Sequence, residues 1–282
     1  MNKFILSAFA DEYSSNFDLQ LEGLLKNGMT HIELRGVDGK NILDLTEEEL
    51  EGVKAKLEKS GIKISAIGSP LGKIDITDPF EEHLEKTKKC VEIANYLGTP
   101  NIRMFSFYIK DGDFEGHRGE VIRRLGAMLD IADEGGVLLC HENEKGIYGD
   151  TPERCLDLLN EFGGRLKCIF DPANFLQCGE ESYPRAFELL CDKIYYMHIK
   201  DADATGSIVP AGAGEGRIPD MLRSLASGEA PYILTLEPHL TVFEGLAALE
   251  DGEKTKHAYE FSSTEEAFDV GAEALRKIIA EL

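Results

Sequence analysis

Four short apolar segments in the second half of the chain each end in a side chain that can bind a metal ion. These side chains are Glu142 in LCHEN, Asp171 in IFDPAN, His198 in YMHIKD and Glu237 in TLEPH. Buried carboxylates are costly without partners, so crowded acids at such positions favour a bound cation. Three carboxylates and one imidazole suit Mn²⁺, Mg²⁺, Co²⁺ or Zn²⁺. The sequence predicts one divalent metal ion held by these four residues.

Such a site supports proton transfer beside a carbonyl group. A metal bound to a substrate carbonyl and its neighbouring hydroxyl acidifies the proton on the α-carbon and stabilises an enediolate. One carboxylate then removes the proton and another returns it. Return at the opposite face gives epimerisation, and return at the neighbouring carbon gives aldose–ketose isomerisation. Loss of a β-hydroxyl instead gives dehydration.

The elements that would position these residues are eight strands that alternate with helices, a pattern typical of a parallel sheet of βα units. Eight units over 282 residues average about 35 residues each, which suits a closed barrel. We therefore expect an α/β fold, a (β/α)8 TIM barrel, as a single domain over residues 1–282. An open doubly wound sheet is disfavoured because no glycine fingerprint follows the first strand. The predicted strands are Phe4–Phe9, His31–Arg35, Lys63–Ser69, Asn101–Phe107, Val137–Asn143, Leu166–Asp171, Ile194–Lys200 and Tyr232–Glu237.

The sequence also predicts where several helices begin and end. Gly28 and Gly61 follow helical patterns and are expected to end them. The expected helix caps are Thr46 with Glu49, Asp78 before Pro79, Thr151 before Pro152, and Ser263 with Glu266. Two long segments, Ala202–Arg217 and Leu240–Phe261, are expected at the carboxyl-terminal mouth of the barrel, where barrels carry function.

On the second predicted strand, His31, Glu33 and Arg35 share one face, which is expected to point into the barrel. Glu33 and Arg35 form an internal ion pair in one interpretation. In the other, Glu33 binds substrate hydroxyls at the mouth.

Three further residues are candidates for substrate binding. Lys200 is a substrate contact or electrophile, against a salt bridge with Asp201. His239 follows Glu237 by two residues and either reaches the ligand or is turned away from it, because Pro238 breaks the strand between them. Arg217 ends the loop Gly212-x-Gly214-x-Gly216, which either cradles a phosphate or is a plain flexible turn.

Aromatic residues end the fourth predicted strand, at Phe105, Phe107 and Tyr108. They suit a pocket wall against the apolar face of a sugar, core packing, or a contact in a homo-oligomer.

Composition limits the partners and the location. A formal net charge of -22 disfavours nucleic acid and anionic membranes. Six separated cysteines without a C-x-x-C pair suit reduced thiols in the cytoplasm. The apolar stretch from Phe4 to Ala10 is short for a secretory signal and is better interpreted as the first strand.

The ordered series Glu142, Asp171, His198 and Glu237 resembles the xylose isomerase-like barrels, often labelled sugar phosphate isomerase/epimerase. The resemblance covers nearly the whole chain. It implies a metal-dependent isomerase or epimerase acting on a small sugar, sugar phosphate or sugar-like polyol. In the ketose 3-epimerases of this family the residues that match the four bind the metal, and those that match Glu142 and Glu237 exchange the substrate proton.

Two departures from the ketose 3-epimerases leave the substrate open. Asn174 stands where they have a histidine, three positions after the metal aspartate, and is a candidate substrate contact. The arginine that they carry shortly after the metal histidine is absent here, and Lys200 is the nearest basic residue.

Other functions remain alternatives. An inosose dehydratase-like lyase would use the same metal, acid and base, and a non-catalytic sugar-binding barrel would need no proton transfer. AP endonucleases share the barrel, but their three-zinc cluster needs extra histidines on strands three and four, which end here in Gly68-Ser-Pro70 and Phe105-Ser-Phe107. That cluster cannot assemble.

Overall fold

The structure is a computed structural model that describes residues 3–228, 231–249 and 254–282. In this part of the chain eight strands form one sheet. All eight lie where the sequence predicts them; their carboxyl ends differ by one to three residues, and their amino ends by at most one. The strands are β1 (Phe4–Ala8), β2 (His31–Leu34), β3 (Lys63–Ile67), β4 (Asn101–Met104), β5 (Leu138–Glu142), β6 (Leu166–Phe170), β7 (Ile194–Ile199) and β8 (Tyr232–Leu236).

The order of hydrogen-bonded neighbours in the sheet is β1, β8, β7, β6, β5, β4, β3, β2. The register pairs Phe4 with Tyr232 and Glu142 with Ile169, both in parallel ladders. At the two ends of this order, the backbone N–H of Thr30, just before β2, donates to Leu6 O of β1 at 3.2 Å. The sheet order therefore returns to its start, as in a (β/α)8 barrel.

Helices connect the strands, and several of them begin or end at residues that favour helix ends, such as threonine, serine and glycine. The helices are α1 (Phe17–Lys26), α2 (Glu47–Ser60), α3 (Glu81–Leu97), α4 (Phe114–Gly135), α5 (Pro152–Phe162), α6 (Pro172–Gln177), α7 (Phe187–Leu190), α8 (Ile218–Ala226), α9 (Leu246–Leu249) and α10 (Thr264–Ala280). No helix in the described ranges is both long enough and apolar enough to cross a membrane.

The predicted capping box of α2 is confirmed: Thr46 and Glu49 exchange side chain to backbone hydrogen bonds at 2.9 and 3.3 Å. Thr151 and Ser263 cap α5 and α10 as predicted. Gly61 ends α2 with φ of 76°, in the left-handed region that glycine adopts without strain.

One predicted cap is wrong. Asp78 does not begin α3, which starts at Glu81 after an N-cap residue without a side-chain hydrogen bond. The Asp78 carboxylate instead accepts the backbone N–H of Asp75 at 3.1 Å. The Asp-Pro pair therefore belongs to a local turn, because the aspartate side chain satisfies a nearer donor than the helix offers.

Two compact units can be distinguished. One comprises Met1–Ser65 and Tyr196–Leu282, and the other comprises Ala66–Tyr195. In the first unit, the segment after β7 forms a short antiparallel pair, Asp201–Ala202 with Ile208–Val209, and Ile208 N donates to Lys256 O at 2.8 Å. The long segment expected over Leu240–Phe261 includes residues 250–253, which lie outside the described ranges.

Candidate metal and acid–base site

His198 lies near the carboxyl end of β7 and is completely buried. Its Nε2 lies 3.2 Å from Oε2 of Glu33 on β2, and the Tyr196 hydroxyl donates to Oε1 of the same carboxylate at 3.0 Å. A carboxylate at Nε2 favours the proton on that nitrogen, which leaves the Nδ1 lone pair to bind a metal. Glu33 therefore orients a candidate ligand, a role that the sequence analysis missed.

Glu237 follows β8, and its two carboxylate oxygens have different neighbours. Oε2 lies 3.2 Å from Lys200 Nζ and 3.7 Å from His198 Nδ1, whereas Oε1 accepts from Arg35 Nη1 at 3.0 Å. Burial by itself would raise the pKa of Glu237, but Lys200, His239, His198 and Arg35 together lower it well below its usual value. Glu237 is therefore held as a carboxylate, the form that binds metal and accepts a proton.

Glu142 ends β5 and is buried. Arg103 Nη1 on β4 donates to its Oε2 at 3.2 Å, and Asn174 Nδ2 donates to its Oε1 at 3.3 Å. The sequence analysis missed Arg103, although a charged residue inside the apolar run Ile102-Arg-Met-Phe105 is the same signal that marked the acids. Both oxygens of Glu142 thus have fixed donors.

Asp171 follows β6 and begins α6. Its Oδ1 accepts the backbone N–H of Asn174 at 2.9 Å, and its own N–H donates to Asn143 Oδ1 at 2.9 Å. Asn143 Nδ2 returns a hydrogen bond to Asp171 O at 3.0 Å. Asn174, predicted as a substrate contact, is 5% exposed and also donates to Asn143 O at 2.8 Å. In this structure its amide holds the backbone and the Glu142 carboxylate.

All four predicted ligands are buried at or near the carboxyl ends of their strands. Glu142 and Asp171 belong to the unit Ala66–Tyr195, and His198 and Glu237 belong to the other unit, where His198 Nδ1 lies 3.7 Å from Glu237 Oε2. Three carboxylates and one imidazole form a donor set that suits a single hard or borderline divalent ion. The four residues are therefore candidate metal ligands.

Lys200 contacts the site and not Asp201, the salt-bridge partner considered from the sequence. Its side chain is 6% exposed, and its contact with Glu237 joins an ammonium donor to a carboxylate acceptor. Its role toward a substrate stays a prediction.

The glycine-rich loop after β7 surrounds an internal carboxylate. Asp201 accepts backbone N–H groups from Gly212, Gly214 and Gly216 at 2.9, 3.2 and 2.9 Å. It also accepts the N–H of Ala202 at 2.9 Å. The amides that a phosphate would need are therefore engaged by the protein itself. Arg217 lies at the loop end with an exposed side chain paired to Asp220 at 2.6 Å.

His239 lies beside Glu237, and its role toward a substrate stays a prediction. Its Nε2 lies 3.5 Å from Oε1 of Glu237 and 3.3 Å from Oε1 of Glu12. The backbone of His239 adopts φ of 45°, and its N–H donates to Glu12 Oε2 at 2.8 Å. Glu12, which the sequence analysis did not single out, therefore fixes the turn that directs this ring.

Residues 21–279 match the family described as xylose isomerase-like TIM barrel. A curated relative, the 3-dehydroshikimate dehydratase of Bacillus anthracis, is 26% identical over 182 residues. The match covers 62% of this chain and spans 63% of the length of that relative.

Solved structures with the same fold include a protein described as IOLI with a bound zinc atom. Its TM-score is 0.75, with 18% identity and 99% of each chain covered. A D-allulose 3-epimerase from Methylomonas sp., in complex with D-allulose, gives a TM-score of 0.74 and 14% identity over 100% of this chain and 98% of that chain. At these identities the likeness shows the fold, so the predicted (β/α)8 TIM barrel is confirmed.

Proposed function

We propose, from the premise that this chain belongs to the family of xylose isomerase-like TIM barrels, that it is a metal-dependent sugar isomerase or epimerase. Its substrate would be a small sugar, sugar phosphate or sugar-like polyol that carries a carbonyl group. The observation that carries the proposal is that four consecutive strands, β5 to β8, each bear a buried metal-ligand side chain at or near the carboxyl end: Glu142, Asp171, His198 and Glu237. Two of these four residues can exchange protons as well as bind metal.

The four residues would hold one divalent ion, which when bound supplies Lewis acidity at the substrate carbonyl. Glu237, kept ionised by its cationic neighbours, accepts the proton from the carbon beside the carbonyl as the carbon–hydrogen bond breaks. The electron pair moves toward the carbonyl oxygen, where Lys200 can donate a hydrogen bond. Glu142 takes up a proton from solvent and delivers it to carbon, and Glu237 releases its proton to solvent, so both residues return to the carboxylate form.

Fixed hydrogen bonds orient the two glutamates for this exchange. Arg103 and Asn174 each donate to one oxygen of Glu142, and Arg35 and Lys200 each contact one oxygen of Glu237. Preorganised acid and base groups lower the reorganisation that the transition state requires.

Deuterium exchange tests this proposal. Metal-reconstituted protein is incubated in D₂O with a panel of ketoses, aldoses and inososes, and NMR follows the carbon beside the carbonyl. We expect deuterium there with the wild type and loss of exchange with Glu142→Gln and Glu237→Gln. Glu161→Gln, the same change at an exposed residue of α5, is the matched control and should exchange like the wild type.

Two results would contradict the proposal. One is no exchange with any compound in the panel although metal is bound. The other is exchange that persists at the wild-type rate in both glutamine variants. Sugar binding by the wild type without exchange, at an affinity that both glutamine variants keep, would instead favour a non-catalytic sugar-binding barrel.

A lyase is the second candidate, and Lys200 is the observation that favours it. A buried ammonium 3.2 Å from Glu237 places a proton donor beside a proton acceptor. In dehydration, the carboxylate takes the proton from the α-carbon while the ammonium protonates the departing β-hydroxyl, so that water leaves. Similarity to the 3-dehydroshikimate dehydratase agrees with this chemistry.

The same NMR assay separates the candidates when 3-dehydroshikimate joins the inososes in the panel. An isomerase or epimerase gives a product of unchanged mass with deuterium on carbon. A lyase gives a product lighter by one water with a new double bond, and absence of such a product from every compound would remove this candidate. Lys200→Met should abolish dehydration more severely than exchange.

A further inference from the structure

A second group of ligand-type side chains lies beside the candidate metal site and shares Glu237 with it. Glu12, Glu237 and His239 are buried, and one ligand-type atom from each lies within 4.8 Å of the others. Two carboxylates and an imidazole form a donor set that commonly binds a divalent ion. Glu237 acts in the proposed mechanism, whereas Glu12 has no role in it.

A guanidinium already lies against the same oxygens. Arg35 donates from Nη1 to Glu237 Oε1 at 3.0 Å and from Nη2 to Glu12 Oε1 at 3.3 Å. His239 Nε2 approaches these same two oxygens at 3.5 and 3.3 Å. The positive charge of Arg35 is therefore directed at the ligand-type oxygens that a second metal ion would need.

Arg35 is itself held in place from two sides. Asp11 accepts from its Nε at 2.8 Å and from its Nη2 at 3.0 Å, a bidentate pair with good geometry. The guanidinium carbon lies 4.2 Å from the centroid of the Phe9 ring and 5.5 Å from that of Phe243. The side chain is 4% exposed, so both its orientation and its charge are fixed.

We propose that Arg35 is a positioning residue that takes the place of a second metal ion in the cluster of Glu12, Glu237 and His239. It limits the protein to one metal ion and engages Oε1 of Glu237, so that Oε2 faces His198 and Lys200. This inference rests on the proposed function, because it presumes that Glu237 serves the metal site. An arginine suits the task because it stays protonated at all physiological pH values.

Metal stoichiometry tests the proposal independently of activity. Protein freed of metal with a chelator is titrated with Mn²⁺, and electron paramagnetic resonance measures the unbound ion. We expect about one equivalent in the wild type and about two in Arg35→Met, since metal binds wherever a fitting deprotonated donor set is offered. Arg35→Lys keeps the positive charge and is expected to bind about one equivalent.

Arg35→Met leaves the buried Glu12 and Glu237 and the partly exposed Asp11 without their guanidinium and can fail to fold. The double variant Asp11→Asn/Arg35→Gln removes one charge of each sign and keeps Glu12, Glu237 and His239 intact. It is expected to bind about two equivalents as well. Arg124→Met is the matched control: Arg124 is also a buried arginine, but it donates to Glu120 and Asp78 O, so about one equivalent is expected.

The outcomes separate this inference from the proposed function. A wild type that binds two ions would overturn the role of Arg35 and leave the metal-dependent mechanism standing. Folded variants without a charge at position 35 that still bind one ion would do the same. A wild type that binds no Mn²⁺ and shows no deuterium exchange would overturn the proposed function, and the inference with it. A second equivalent confined to the variants that lack a charge at position 35 would support it.

Discussion

Replacement of Glu33 by glutamine should weaken metal binding without disturbing the fold. The side chain is completely buried, and its carboxylate contacts His198 Nε2 and the Tyr196 hydroxyl. Glutamine has nearly the same shape, and its amide oxygen can still accept from His198. What Glu33→Gln removes is the negative charge that makes the imidazole a stronger donor of its Nδ1 lone pair.

The expected size of the effect follows from the hydrogen bond that is lost. A hydrogen bond to a charged group contributes about 1.5–3 kcal/mol and a neutral one about 0.5–1.5 kcal/mol. The difference of about 1–1.5 kcal/mol corresponds to roughly tenfold in the metal dissociation constant. Carboxylates that support a metal-bound histidine are worth about 10–100-fold, so the estimate lies at the lower end of that range.

Isothermal titration with Mn²⁺ measures the dissociation constant, and thermal unfolding of the metal-free protein checks the fold. Tyr196→Phe is the control, because it removes the other donor to Glu33 but keeps the pair with His198. It should change the constant by less than about threefold, because the negative charge of Glu33 and its contact with His198 both remain. A Glu33→Gln constant within twofold of the wild type would refute the claim that Glu33 orients a metal ligand.

Two further predictions concern the loop after β3. Burial lowers the pKa of His83 from 6.5 to about 4, and its Nε2 accepts the N–H of Gly72 at 2.8 Å. The unfolded chain binds a proton at this histidine more readily than the folded protein, so the free energy of unfolding should fall by up to about 3 kcal/mol as the pH drops from 6.5 to 4. Urea unfolding should show a smaller fall for His83→Gln. An equal fall in the variant and the wild type would contradict this account. Gly72→Ala should cost at least about 3 kcal/mol, because φ is +89° and the added Cβ would lie 1.9 Å from Phe105 O. Gly98→Ala, with φ of +78° and no atom within 4 Å, should cost about 1 kcal/mol, and similar unfolding midpoints for the two variants would show the close approach to be unimportant.

The strands and the four candidate ligands could be predicted because each depends on local pattern. An apolar run that ends in a polar residue marks both the strand and the place where its carboxyl end opens. Helix starts were predictable where a side chain caps its own helix, as Thr46 does. The prediction failed at Asp78 because its carboxylate accepts the backbone N–H of Asp75, and the sequence pattern does not distinguish this turn from a helix cap.

The partners of the charged residues depended on the tertiary structure. Glu33 and Arg35 share a strand, and the sequence left an ion pair between them open. In the structure Glu33 binds His198, 165 positions away, and Arg35 binds Glu237, 202 positions away. Side chains on one face of a strand lie no closer to each other than to residues of neighbouring strands.

The candidate metal site shows most clearly which features the sequence determines and which the tertiary structure decides. The order Glu142, Asp171, His198, Glu237 and the strand ends that carry them are properties of the sequence. The tertiary structure decided that Oε2 of Glu237 faces Lys200 and Oε1 faces Arg35. It also decided that the backbone N–H groups of the glycine-rich loop donate to Asp201. A hydrogen bond needs its two atoms about 3 Å apart. The sequence pattern does not specify such distances between segments that are far apart in the chain, because they arise only when the chain folds.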